Sequence, residues 1–342
     1  QSPSIPTCLF FNMEAEAGQS AVHYGRDAMN LYREGYDGRL LRALKSILGS
    51  SLAQEGTVIG YKAYRLMEVL QIFIRHLREK AEAAAGHALD SVVLGRPVFF
   101  VDDDKAADKQ AEEQLRSVAQ AVGFKHISFQ YEPVAAALSY EAELAREELV
   151  LIADLGGGTA DFTLIRLSPD RHHVADRSAD LLANDGIHIG GTDLDRLLAF
   201  KGIMPLLGKG SQYKHKDIEM PLSHYINLST WHRINMLYTP RSQNEIAALV
   251  REAAEPKLLQ RLMEVVENRK GHALLHCVET AKIALTGADE TVQDFSPAIN
   301  KLTKVRISRT MFEKAIAQPA ADIRKKVEDL LRMGGCMPDQ VN

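Results

Sequence analysis

Val150 to Leu167, VLIADLGGGTADFTLIRL, decides how this chain folds. A continuous apolar run, Val150-Leu151-Ile152-Ala153, ends in Asp154 and Leu155. Three glycines and Thr159 follow, and a second strand-like segment leaves through Asp161. Phe162, Leu164 and Leu167 alternate with Thr163 and Arg166 in the two-residue period of a half-buried strand, with Ile165 breaking it. The pattern predicts strand, glycine turn, strand. No helix follows the glycines, which separates the stretch from a dinucleotide fingerprint or a P-loop, where the turn opens a phosphate-holding helix. Backbone N–H groups in a glycine tip can line an anion site, because glycine tolerates positive φ and admits phosphate without a Cβ. Asp154 and Asp161 bracket that tip. Carboxylates beside a phosphate repel it unless a cation lies between, so the pair implies magnesium. An ordinary Asp-flanked hairpin turn fits the same letters.

Outward from this hairpin, 342 residues and a net charge of −4 describe a chain long enough for two domains or two lobes, without basic excess. Nucleic acid and anionic membrane are not expected partners. No apolar run reaches the roughly 18 residues of a spanning helix, and no signal-peptide layout opens the chain, so the expected location is cytoplasmic. Cys8, Cys277 and Cys336 have no CxxC spacing and are expected to be reduced. His272, His276 and Cys277 share a helical spacing that could ligate metal, but the further ligands are missing, and packed or surface histidines fit better. The chain starts at Gln1 and ends just after Met337-Pro338-Asp339, which reads as a fragment.

Residues 3 to 12 read as a strand, with Gly25 and Gly35 to Gly38 as punctuation before LRALKSILGS. Lys45 lies among apolar residues there, where a solvated face is the ordinary explanation. A helix is predicted over Gly60 to Ala85 and ended by Gly86, then a buried strand Ser91 to Leu94. Asp102 to Val122 is predicted helical and ended by Gly123. His126 to Tyr131 is a strand and Glu132-Pro133 opens another helix. Glu132 is a poor N-cap, so it has either a non-structural task or a dipole role. Arg177 to Leu182 suggests a third strand, Asn184-Asp185-Gly186 a turn, and Gly190-Gly191 a helix start with Thr192 as N-cap. Such a start is an anion site or a tight packing point. Residues 208 to 243 read as an insertion or a loop-rich subdomain. Helices are predicted from Asn244 to Glu267, from Lys270 to Leu285, and from Arg309 to Leu331 with a break near Pro319; Val305 to Ser308 is a strand.

LKSILG (44–49), VVLGRPVFF (92–100), YEPVAAALSYE (131–141), IADLGGGTAD (152–161), IGGTDLD (189–195) and ETAKIAL (279–285), in this order, resemble the ATPase domain of DnaK-type chaperones of the heat shock protein 70 family. These belong to the actin, hexokinase and heat-shock ATPase superfamily, and the resemblance is nearest to the YegD-like branch. It implies an α/β fold of two actin-like, ribonuclease H-like lobes, each a mixed sheet flanked by helices, with nucleotide in the cleft between them. The expected divisions are 1–67 and 68–148 for the peripheral and core parts of lobe I. Lobe II would have core parts 149–205 and 301–342 around a peripheral part 206–300.

The same resemblance implies that Asp154 holds Mg2+ through waters while Gly156, Gly157, Gly158 and Thr159 contact the β- and γ-phosphates. Asp161 and Asp193 would neighbour the phosphate and metal shell. Lys45 would reach the γ-phosphate and attacking water, and Glu132 would orient water, so that Lys45, Glu132, Asp154 and Thr159 are the expected catalytic set. Gly190 and Gly191 would form a second phosphate loop, and Glu279, Lys282 and Thr286 would line ribose and base. ATP or ADP is the implied ligand, with K+ as a further cation, and unfolded clients or co-chaperones are the implied partners. Lobe closure on Mg-ATP would assemble the site. The family's first phosphate loop and its late Gly-Gly-Ser adenosine loop are not found here. Ile283 stands where an arginine usually meets adenine, and Thr192 replaces an acidic residue. The expectation is therefore an ATPase truncated at both ends, inactive or weakened alone. The alternatives are a non-enzymatic nucleotide-dependent scaffold or actin-like assembly protein, and, less favoured for want of a sugar-activating Asp, a sugar kinase.

Overall fold

The computed structural model describes residues 5–341 apart from 17, 19, 35, 43, 51, 52, 54, 102, 103, 172, 173, 175, 176 and 301. Pro3, Gly35, Asp102 and Asn342, which figure in the expectations above, lie outside the described residues. The chain forms two compact units, 1–188 with 325–342, and 189–324.

In the first unit, β1 (Cys8–Asn12) lies antiparallel between β2 (Val22–Tyr24) and β3 (Gly38–Arg42), with α1 (Gly25–Glu34) packed on the sheet. The helix expected from Gly60 begins later. Gly60 and Tyr61 turn a hairpin of β4 (Gly56–Ile59) and β5 (Lys62–Arg65), and α2 (Leu66–Ala85) follows. Gly86 and Gly123 cap α2 and α3 (Lys105–Val122) in the left-handed conformation that glycine adopts without strain. The Asp104 carboxylate caps the start of α3, accepting from the N–H groups of Ala106 and Ala107 at 3.0 Å. The strands β6 (Ser91–Arg96) and β7 (His126–Tyr131) flank α3 in the chain and pair in parallel, a βαβ unit that brings their carboxyl ends side by side. α4 (Glu132–Glu141) starts there.

The opening stretch folds as predicted: β8 (Glu148–Leu155) and β9 (Ala160–Leu167) form an antiparallel hairpin with the glycines at its tip. Ile165 breaks the alternation because β9 is central and covered on both faces. Ile165 and Leu167 pack with Val150 and with Ala137 of α4. On the opposite face Leu164 meets Gly334, where a Cβ would fall 2.4 Å from the leucine. The third strand is β10 (Leu181–Ile187), later than expected, and Ser178–Asp180 is a 3₁₀ turn. Asn184-Asp185-Gly186 is not a turn: it pairs with Thr163, Phe162 and Asp161 of β9, and this ladder overrides the local turn preference. A buried ion network holds the connection from β9 to β10. Arg177 grips both Glu141 oxygens at 2.6 and 2.7 Å and also pairs with Asp180. Its guanidinium is pushed further above its usual range by the Glu141 bonds, against the effect of burial.

The second unit is mainly helical. α5 (Gly191–Leu198) runs on through a π-helical turn, Ala199–Ile203. The stretch 208–243 is not loose: it contains a hairpin of β11 (Gln212–Tyr213) and β12 (Lys216–Glu219), helix α6 (Ser223–Ser229) and a 3₁₀ segment, Trp231–Tyr238. Tyr225, Leu228, Ile234 and Leu237 from this stretch are fully buried. The helix expected over Asn244 to Glu267 is two, α7 (Pro240–Glu252) and α8 (Pro256–Glu267), since Pro256 cannot donate to a continuing helix and starts a new one. α9 (Gly271–Ala284) follows, then the hairpin β13 (Glu290–Gln293) and β14 (Val305–Ser308). α10 (Arg309–Met333) is continuous through Pro319, contrary to the expected break. The proline removes one N–H from a 25-residue helix, and Gln318 donates to Asp322 across it at 2.8 Å.

One core of Leu198, Leu207, Leu262, Val278, Phe295 and Ile307 unites the second unit, with Trp231 packed against it. Phe295→Ala should cost about 3–5 kcal/mol, as large-to-small changes at buried aromatics do. Urea unfolding followed by the single tryptophan measures it, and an unshifted midpoint would contradict this packing.

Candidate functional site

Three elements of the first unit converge at the carboxyl ends of β6 and β7. Lys45 comes from a 3₁₀ turn, Leu44–Ile47, anchored by buried Leu44, Ile47 and Leu48. Its ammonium forms an ion pair with Glu132 at the first position of α4 and donates to the Gly95 carbonyl at 3.1 Å. Gly95 permits the approach, since a Cβ there would sit 3.1 Å from Glu132 Cγ. Of the two explanations for Glu132, the structure adds a specific one: its carboxylate has a lysine partner 87 positions away.

Asp154 belongs to the same group. Val150 and Ile152 face α4; by strand alternation Asp154 does too, and its register partner Asp161 shares that face. The Asp154 residue is solvent-exposed. Its carboxyl is nevertheless partly desolvated, and that burial raises its pKa above the ordinary aspartate value. The Glu132 charge adds to the rise and the Lys45 charge opposes it. Asp161 is buried, and its Oδ2 accepts the Thr159 hydroxyl at 3.0 Å. The tip closes by Gly156 N–H donating to Thr159 O at 2.9 Å. None of Gly156, Gly157 and Gly158 has a positive φ, so left-handed backbone is not what these positions require. A Cβ on Gly157 or Gly158 would meet nothing within 4 Å, leaving both backbones open to close approach.

Behind this face, Asp185 of β10 accepts from Lys326 Nζ at 3.0 Å. In the sequence Asp185 reads only as a turn residue and Lys326 does not stand out: nothing local marks a lysine 141 positions away as the partner of a strand aspartate.

In the second unit Gly190, not Thr192, is the N-cap of α5. The Asp193 carboxylate reaches back to the Gly190 N–H at 3.1 Å, so an acidic side chain rather than a hydroxyl occupies the helix start. Lys282 of α9 lies 2.8 Å from Asp195 and donates to the Gly191 carbonyl at 3.2 Å, tying α9 to the glycine turn. Gly190, Gly191, Asp193 and Lys282 are thus brought together, with Asp195 as a member the motif alone did not single out. Glu279 and Ile283 are four apart on α9, Thr286 lies in the turn just after it, and Ile283 and Thr286 are exposed. Glu279 lies 3.5 Å from His276. The Thr286 carbonyl accepts from Arg309 at 3.1 Å.

His272 stacks edge-on with Trp231, and burial pushes the Cys277 thiol up to about 11. Among the described residues no three His, Cys, Asp or Glu converge on one point. Magnesium needs no such cage: it is held by one or two carboxylates and its own waters, and the hard oxygens of Asp154 and Asp161 on one face fit that chemistry.

Residues 50–204 match the sequence profile described as Hsp70 protein. Over 208 residues the chain is 28% identical to the chaperone protein HscA of Cronobacter sakazakii, covering 53% of this chain and 31% of that one. It is 34% identical over 142 residues to an HscA homolog of Azoarcus, covering 42% and 20%. The chaperone protein DnaK of Endomicrobium trichonymphae aligns over 332 residues at 22% identity, covering 95% and 50%. The chain therefore spans at most half the length of these relatives.

Because the raised Asp154 pKa means that the folded state holds this proton more tightly than the unfolded chain, the residue destabilises the ligand-free fold. The penalty is absent below the ordinary aspartate pKa, grows as pH rises through the folded value, and is then constant. Asp154→Asn should therefore melt higher than wild type at pH 7 and alike near pH 3. Thermal melts at the two pH values test this, and equal shifts at both would refute it.

Proposed function

Residues 50–204 belong to the Hsp70 family, and on that premise we propose that the chain is the ATP-binding and ATP-hydrolysing part of a heat-shock-70-like chaperone acting on Mg-ATP. The family implies the actin-like ATPase fold, in keeping with the mixed α/β architecture, and a chaperone nucleotide-binding module. The observation that carries the finer reading is the convergence of Lys45, Glu132 and Asp154, drawn from three separate elements, beside an open glycine tip.

In this reading Lys45 exchanges its Glu132 partner for the terminal phosphate, and its fixed charge offsets the negative charge that develops there. Glu132, released, accepts a proton-bearing water and orients it. Asp154 and Asp161 would hold a magnesium ion, which when bound supplies charge neutralisation between phosphate oxygens and carboxylates. The backbones of Gly156, Gly157 and Gly158 would lie along the phosphates, and the Thr159 hydroxyl fixes Asp161. Phosphoryl transfer asks mostly for this positioning and electrostatics. In the second unit, Gly190, Gly191 and Asp193 would form a further phosphate contact, and Glu279, Lys282 and Thr286 a ribose and base contact. K+ as a second cation, unfolded clients or co-chaperones as partners, a cytoplasmic location and the YegD-like branch complete the proposal. Among the described residues no helix is long and apolar enough to cross a membrane.

Isothermal titration with Mg-ATP and a phosphate-release assay test the reading together. The protein should bind, and Lys45→Ala should slow hydrolysis about 10²-fold, the usual loss for one preorganised charge donor, with its circular dichroism unchanged. Absence of Mg-nucleotide binding, or turnover by Lys45→Ala equal to wild type, would overturn it. Sedimentation with and without ATP separates the assembly alternative, which requires nucleotide-dependent growth.

A further inference from the structure

The β8–β9–β10 ladder sets Asp154, Asp161 and Gly186 in one row: Asp154 faces Asp161, and Asp161 faces Gly186. Gly186 is the only member of the row without a side chain, and the space that it leaves is taken. A Cβ built there would lie 2.8 Å from Asp161 Oδ1 and 3.7 Å from Asp161 Cγ. Real Cβ atoms do not approach an oxygen so closely, so one of the two must move. The φ of Gly186 lies outside the left-handed region, and the backbone would accept another residue; the constraint is steric and directed at one carboxylate. That carboxylate cannot readily swing aside. It is buried, and its other oxygen is held by the Thr159 hydroxyl at 3.0 Å. The strand cannot readily retreat either, because the neighbouring Asp185 is pinned by Lys326 at 3.0 Å and accepts the Gly186 N–H at 2.8 Å.

We propose that Gly186 is a positioning residue for Asp161: its bare Cα is the seat that fixes the carboxylate's orientation toward the glycine tip. The inference rests on the nucleotide reading of that tip. A side chain at 186 rotates the Asp161 carboxylate, breaks its bond from Thr159, and misplaces an oxygen meant for the cation that accompanies the phosphates. Misplacement by a fraction of an ångström is enough to weaken such a site.

The test is calorimetric titration with ADP in the presence of Mg2+ and again in EDTA, on wild type, Gly186→Ala, Asp161→Ala and the double variant. Melting of the four ligand-free proteins accompanies it. Gly186→Ala should bind Mg-ADP about tenfold more weakly or worse, bind ADP in EDTA within about twofold of wild type, and melt lower. In the Asp161→Ala background the Gly186 change should have no further effect on either binding or melting. Losses that persist undiminished in that background, or equal losses with and without Mg2+, would show that Gly186 does not act through Asp161. Wild-type binding of Mg-ADP with an unaltered Gly186→Ala overturns this inference alone, whereas a wild type that binds no Mg-ADP overturns the nucleotide reading beneath it. The ligand-free melting cycle tests the Gly186–Asp161 contact in either case.

Discussion

The pairing of β8 with β9 is the constraint on which the candidate site of the first unit depends. β9 is covered on both faces, by α4 on one side and by the segment around Gly334 on the other. A one-residue slip would carry every side chain to the opposite face, taking Ile165 and Leu167 from α4 and Leu164 from Gly334. The observed register puts Asp154 and Asp161 opposite one another on the α4 face. It also sends Asp185 to the other face, where Lys326 receives it. The acidic row is thus a by-product of hydrophobic packing, fixed before any ligand arrives.

Two carboxylates placed directly opposite on antiparallel strands repel, by roughly 0.2–1 kcal/mol on the scale of cross-strand pairs, and Glu132 adds a third negative charge to their neighbourhood. The fold compensates two of the three. Glu132 has Lys45, and Asp161 has the Thr159 hydroxyl. At Asp154 partial burial, and after it the Glu132 charge, raises the carboxyl pKa against the opposing Lys45 charge. Local violations that the surrounding packing sustains are what functional sites look like in physical terms. Here the violation has a sign: the carboxylates leave an excess of negative charge, which the proposed magnesium ion would offset.

Much of this was legible in the sequence because the signals were local. The apolar run ending in Asp154, the glycine triplet and the Glu132-Pro133 corner each name their element within a dozen residues. What could not be read was created by distant partners. Asn184-Asp185-Gly186 has turn letters, yet a ladder to β9 makes it strand. The stretch 208–243 lacks periodicity, yet its Tyr225, Leu228, Ile234 and Leu237 are core, because short helices and 3₁₀ turns bury single residues rather than stripes. Thr192 has the chemistry of an N-cap, but Asp193 one position on reaches back to Gly190 and takes the task. The Glu141–Arg177 and Asp185–Lys326 pairs leave no spacing to recognise.

The ligand-free arrangement of Lys45 constrains what can bind. Its ammonium is already neutralised by Glu132 and bonded to the Gly95 carbonyl, so an arriving phosphate meets an occupied lysine rather than a vacant one. Taking Lys45 frees the Glu132 carboxylate beside Asp154, and the site then gains one anionic group for each phosphate interaction it forms. A bare polyphosphate would raise the negative charge without remedy. A polyphosphate that brings a divalent cation supplies both exchange partners at once, the phosphate for Lys45 and the cation for the carboxylates. In the proposed reading, a preference for metal-bound over free nucleotide would follow from the Lys45–Glu132 pair itself, because the pair would make anion binding and cation binding a single exchange.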